Sequence, residues 1–126
     1  MKVLQVIETA YRCNVEEQDD PSVWITHAMK GAGADLDVLL SGNAVNYAVK
    51  GQNAEGLSFG DKKQTQPPNL ERDIRALING GLDVHVVQDD VAARGIEGNE
   101  LVDGIKPIPA SGVAKLFGDY DQVWYW

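Results

Sequence analysis

Three short β-branched runs limit what this chain can fold into: "KVLQVIE" near the start, "DLDVLLS" after it, and "LDVHVVQ" from Leu82. They are rich in apolar residues, as strands buried on both faces are, and each precedes a stretch long enough to cross back over a sheet. Two of those crossings read as helices. Asp20 and Pro21 supply a cap and a helix-compatible first residue for "PSVWITHAMKGAGA", where Trp24, Ala28 and Gly31 share one stripe. "PPNLERDIRALINGG" sets Leu70, Ile74, Leu77 and Ile78 at i, i+4, i+7 and i+8 between prolines and a Gly80-Gly81 stop.

The remaining stretches complete the alternation. "GNAVNYAVKG" reads as a short helix with Val45, Ala48 and Val49 on one side, and "GQNAEGLSFGDKKQTQPP" as an exposed excursion of the kind that serves binding or assembly. "GNELVDG" predicts a helical turn, "IKPIP" a fourth strand, "SGVAKLFGDYD" a last helix with Val113, Leu116 and Phe117 inward, and "QVWYW" a fifth strand. Alternate positions on that last strand send Trp124 and Trp126 to one face and Tyr125 to the other, filling a core or meeting another subunit. The pattern predicts a single α/β domain over residues 1–126, a three-layer sandwich with helices on both faces of a mostly parallel five-stranded sheet.

Nineteen acids against eleven bases give a net charge of −8, which repels a phosphate backbone, so nucleic acid is not an expected partner. The opening "MKVLQVIETAYR" lacks the apolar core and small-residue cleavage site of a signal peptide, and no run is long enough to span a bilayer. A cytoplasmic protein with no membrane partner is expected. One cysteine, Cys13, rules out an internal disulfide, and neither a metal nor a cofactor is implied by any spacing. The glycines of "GAGAD" end a helix and precede a strand, the reverse of a dinucleotide fingerprint. His27 and His85 have no partner at ligand or triad spacing and read as structural.

Parallel sheets gather ligands beyond the carboxyl ends of their strands. That rule selects the loop with Cys13, the turn Ser41-Gly42-Asn43, the turn Gln88-Asp89-Asp90, and the region from Pro109 to Gly112. Arg12 beside Cys13 favours a thiolate, whereas Glu16, Glu17, Asp19 and Asp20 oppose one. Ser41, Gly42 and Asn43 lie where free amides can meet an anion. Asp89 and Asp90 are candidates for acid and base work or cation binding. A competing structural role is to cap the helical turn "VAAR".

"VHVVQDDVAARGI", followed by "PASGVAKLFGDYDQVWYW", resembles the DsrE/DsrF-like family of sulfur-relay proteins, which includes the Tus sulfur-transfer subunits. The resemblance runs over nearly the whole chain. It implies a small α/β protein that forms homo-oligomers, trimers or hexamers, and meets a sulfur-transfer protein partner. It also implies a persulfide-carrying cysteine at the end of the strand from Val84 to Gln88, a place that falls on Val87 or within one residue of it. This chain has no cysteine there. Three functions follow as expectations: sulfur handling with Cys13 as replacement carrier, a noncatalytic binding or assembly subunit, or a small metal-dependent hydrolase built on Asp89 and Asp90.

Overall fold

The computed structural model describes residues 1–11, 20–52 and 55–126. In chain order the elements are β1 (Lys2–Ile7), α1 (Pro21–Gly31), β2 (Asp35–Leu40), β3 (Ser58–Phe59), β4 (Lys62–Lys63), α2 (Leu70–Asn79), β5 (Val84–Val87), α3 (Gln88–Ala93), β6 (Lys106–Ile108), α4 (Val113–Gly118) and β7 (Gln122–Tyr125). Short 3-10 segments cover Gly42–Ala48, Gly98–Glu100 and Ala110–Gly112. The expected short helix with Val45 and Ala48 buried is therefore a 3-10 turn. The excursion after it carries the antiparallel hairpin β3–β4, whose four residues are all exposed.

Five strands form one sheet in the order β6-β5-β2-β1-β7, and every pair in it is parallel. The chain steps outward from β1 through β2 and β5 to β6, then returns across the sheet to lay β7 beside β1. Right-handed crossovers put outward steps on one face and the return step on the other. Accordingly α1, α2 and the Gly42–Ala48 turn pack on the face of Leu36, Val38, Leu40, Val84 and Val86, while α4 alone packs on the face of Leu4, Val6, Leu39 and Val87. These side chains are nearly all below a tenth exposed, and each contributes on the order of 1.5–3 kcal/mol of transfer free energy.

Helix α1 turns the other way from its expected stripe. Trp24 is 56% exposed and Ala28 and Gly31 are exposed too, while Ser22, Val23 and Thr26 face the sheet. Thr26 is tolerated there because its hydroxyl finds partners, Oγ1 donating to Ser22 O at 2.7 Å and accepting from Gln5 Nε2 at 2.8 Å, whereas Ser22 Oγ is buried with no hydrogen-bond partner among the described residues. The expected cap is present, with Asp20 Oδ1 accepting from the amides of Ser22 and Val23 at 2.9 and 3.2 Å. Asp20 is fully buried, and its other oxygen accepts from the Tyr47 hydroxyl at 2.5 Å. The same hydroxyl accepts from the Tyr11 amide.

Candidate functional site

Because all five strands run the same way, their carboxyl ends share one rim. β2 delivers Ser41, Gly42 and Asn43 to it, and β5 delivers Gln88, Asp89 and Asp90 as the first turn of α3. The rim is stitched from one strand end to the next. Ser41 N donates to Ile7 O at 3.0 Å, and Glu8 N to Trp126 O at 3.2 Å. Gly42 N donates to Asp90 Oδ2 at 2.8 Å, and Ala110 N to Asp89 Oδ1 at 2.7 Å. Arg94, one turn beyond Asp90, donates from Nη2 to Asn43 Oδ1 at 2.8 Å and from Nη1 to Asp90 O at 3.1 Å.

The expectation that Asp89 or Asp90 caps its own helix is corrected here. Val87 is the N-cap, and this helix start has no side-chain cap bond. The two carboxylates instead reach in different directions, Asp90 to the turn after β2 and Asp89 to the turn after β6. Adjacent positions at a helix start project apart, so the pair cannot share one substrate atom through the oxygens already bonded to amides. Gly42 makes the first of these contacts possible, since its φ of +53° suits glycine and turns its N–H toward Asp90.

Three rim groups keep chemical freedom. Ser41 Oγ is buried and has no hydrogen-bond partner among the described residues. Gln88 is exposed and borders an open cleft of about 150 Å³ lined also by Val91, Ile96, Leu101 and Pro107. Asp89 is exposed, with one oxygen engaged. A larger groove, about 230 Å³, lies between α1 and α2 against Trp24, His27 and Arg72, and none of the rim residues named above lines it. Among the described residues no group of three or more His, Cys, Asp and Glu side chains is arranged to hold a metal ion.

Four displaced titrations, those of Lys2, Asp83, His85 and Tyr120, lie toward the opposite, amino edge of the sheet. Asp37 accepts from the Tyr120 hydroxyl at 2.8 Å and from the Asp83 amide at 2.7 Å, with Lys2 Nζ 3.3 Å away. Burial, reinforced by Asp37, raises the Tyr120 phenol, and the bond to Asp37 raises Lys2. Lys106 lowers Asp83 through a 2.7 Å contact, and burial lowers His85.

The description of DsrE/DsrF-like proteins matches residues 11–124, most of the chain. The chain belongs to the DsrE/DsrF-like family. The E. coli ychN protein has a similar structure, with a TM-score of 0.77 at 20% identity over 99% of this chain and 98% of its own. A protein of unknown function from Methanobacterium thermoautotrophicum gives 0.66 at 12% identity over 98% and 97%, and one from Bacteroides thetaiotaomicron 0.64 at 13% over 98% and 94%. At these identities the likeness is one of fold. No curated protein matches the sequence. Among the described residues no helix is long and apolar enough to cross a membrane.

Val87, on which or within one residue of which the resemblance implies a carrier cysteine, is 6% exposed and packed in the core with Leu116 of α4. Cys13 lies outside the described residues. Sequence reasoning brought Ser41, Gly42, Asn43, Gln88, Asp89 and Asp90 to one rim but missed Arg94 as their clasp and Tyr47 as the anchor of Tyr11 and Asp20. The spacing of Arg94 four residues after Asp90 was the available signal for the first.

Proposed function

We propose that this DsrE-like chain is a noncatalytic subunit of cytoplasmic sulfur handling, one that assembles with copies of itself as a trimer or hexamer and offers its rim to a sulfur-transfer protein. The observation that carries the reading is the end of β5. A buried valine stands there, followed by two carboxylates whose oxygens hold the amides of Gly42 and Ala110. Neither a valine nor a carboxylate holds sulfane sulfur, and acids tied to backbone amides serve the rim's shape before any proton transfer.

The test is intact mass measurement without reductant after incubation with polysulfide, beside a Cys13→Ser variant. The native chain is expected to keep its mass. Gain of one sulfur atom by the native chain and not by the variant would replace the binding role with carriage at Cys13.

A further inference from the structure

A sheet edge leaves backbone donors and acceptors unpaired, and proteins defend such edges with proline, charge or cover. The two edges of this sheet are unlike. β6 runs Lys106-Pro107-Ile108, where Pro107 has no N–H and Lys106 extends its ammonium to Asp83 at 2.7 Å. β7 runs Gln122-Val123-Trp124-Tyr125, with neither proline nor charge.

The direction of the β7 backbone follows from its pairing. Trp126 donates to Val6 O at 2.9 Å and accepts from Glu8 N at 3.2 Å, so both its backbone groups face β1. Trp124, in register with Gln5, faces β1 in the same way. The two-residue alternation of a strand then turns the N–H and C=O of Val123 and Tyr125 outward. Among the described residues no strand pairs with them. The strand is held in place from behind, since the Trp126 indole donates to Gln5 Oε1 and Gln5 is tied in turn to Thr26. Tyr125 is 57% exposed on this preformed edge.

We propose that the outer edge of β7 pairs antiparallel with β7 of a second copy of this chain, about a two-fold axis at Trp124, joining two sheets into one. The inference rests on the reading of the chain as a self-assembling subunit and, of the two assemblies, selects the hexamer, whose two-fold contact it names; a trimer has no two-fold axis. Two-fold pairing sets Val123 against Tyr125 of the other copy. Both residues point their backbone groups outward, as a hydrogen-bonded antiparallel pair requires. It also matches an aromatic side chain with a β-branched one. A second copy fits because self-pairing places like beside like, which an uncharged strand tolerates on a molecule whose net charge is otherwise −8.

Native mass measurement over a dilution series, with amide exchange read residue by residue, tests the contact. The expected result is a self-associated species in which the Val123 and Tyr125 amides are protected and lose that protection on dilution. Tyr125→Pro removes an outward donor without taking a bond from β1, and should weaken association about ten- to a hundredfold. Should that variant misfold, Tyr125→Lys places like charges near the axis and should weaken association as well. A chain that stays monomeric at every concentration would overturn this contact and the assembly reading together. An oligomer whose Val123 and Tyr125 amides exchange freely would overturn the contact alone. Protection that persists in the diluted monomer, or that appears only when another protein is added, would overturn it too.

Discussion

Asp90 offers the sharpest test of whether the rim acids are braces. Its Oδ2 accepts the Gly42 amide at 2.8 Å in a part-buried setting, across 48 residues of chain. A hydrogen bond to a charged group contributes roughly 1.5–3 kcal/mol, and water reaching a part-buried amide lowers the cost of losing it to about 1–2 kcal/mol. Asp90→Ala removes the acceptor. Asp90→Asn keeps an oxygen that can accept the same N–H and removes only the charge, so its cost should stay below about 1 kcal/mol. The Arg94 contact to Asp90 O is to the backbone and survives both changes.

Urea unfolding reads the difference directly. The midpoint should fall for the alanine variant with the slope unchanged, because the surface exposed on unfolding is the same. A loss of about 1–2 kcal/mol is a factor of roughly 5–30 in the folded-to-unfolded ratio, well within measurement. An alanine variant as stable as the native chain would refute the brace. An asparagine variant as damaged as the alanine one would show that charge rather than acceptance matters at this position, which would reopen a chemical role for Asp90.

Tyr47→Phe should cost about 2–4 kcal/mol in the same assay, since it takes a donor from the fully buried Asp20 carboxylate and an acceptor from the Tyr11 amide; a change under about 0.5 kcal/mol would contradict the hub. His85 is lowered from 6.5 chiefly by burial, so below that pH the unfolded chain binds a proton that the folded chain resists, and stability should fall as pH drops from about 7 to 5.5. His85→Gln should flatten this slope; equal slopes in the two proteins would remove His85 as its cause.

How much was legible depended on how local the cause was. Strands β1, β2 and β5 of the main sheet were readable as short apolar runs buried on both faces, α2 from its 3.6-residue period, and the Asp20 cap because its partners lie two and three residues on. Helix α1 misled because its buried face carries Ser22 and Thr26, polar residues that a hydropathy pattern turns outward, and the Gln5 partner of Thr26 lies 21 residues away in the sequence. Asp89 and Asp90 misled for a related reason. Two acids before a helical turn satisfy the local capping rule, but their partners are 21 and 48 residues away, and only the sheet order brings those turns together.

The same sheet order ties the rim to the β7 edge. The reversal after β6 that sends α4 to the second face also leaves β7 outermost beside β1, with Glu8 and Trp126 joining the rim to that edge. A two-fold axis through β7 reverses strand direction, so the two rims of a pair would lie at opposite ends of the joined sheet. Each would then stay open to a partner of its own, and pairing through β7 would not compete with binding at Gln88 or Asp89. On that geometry, assembly and recognition occupy separate surfaces of one small fold, and a mutation in either leaves the other available.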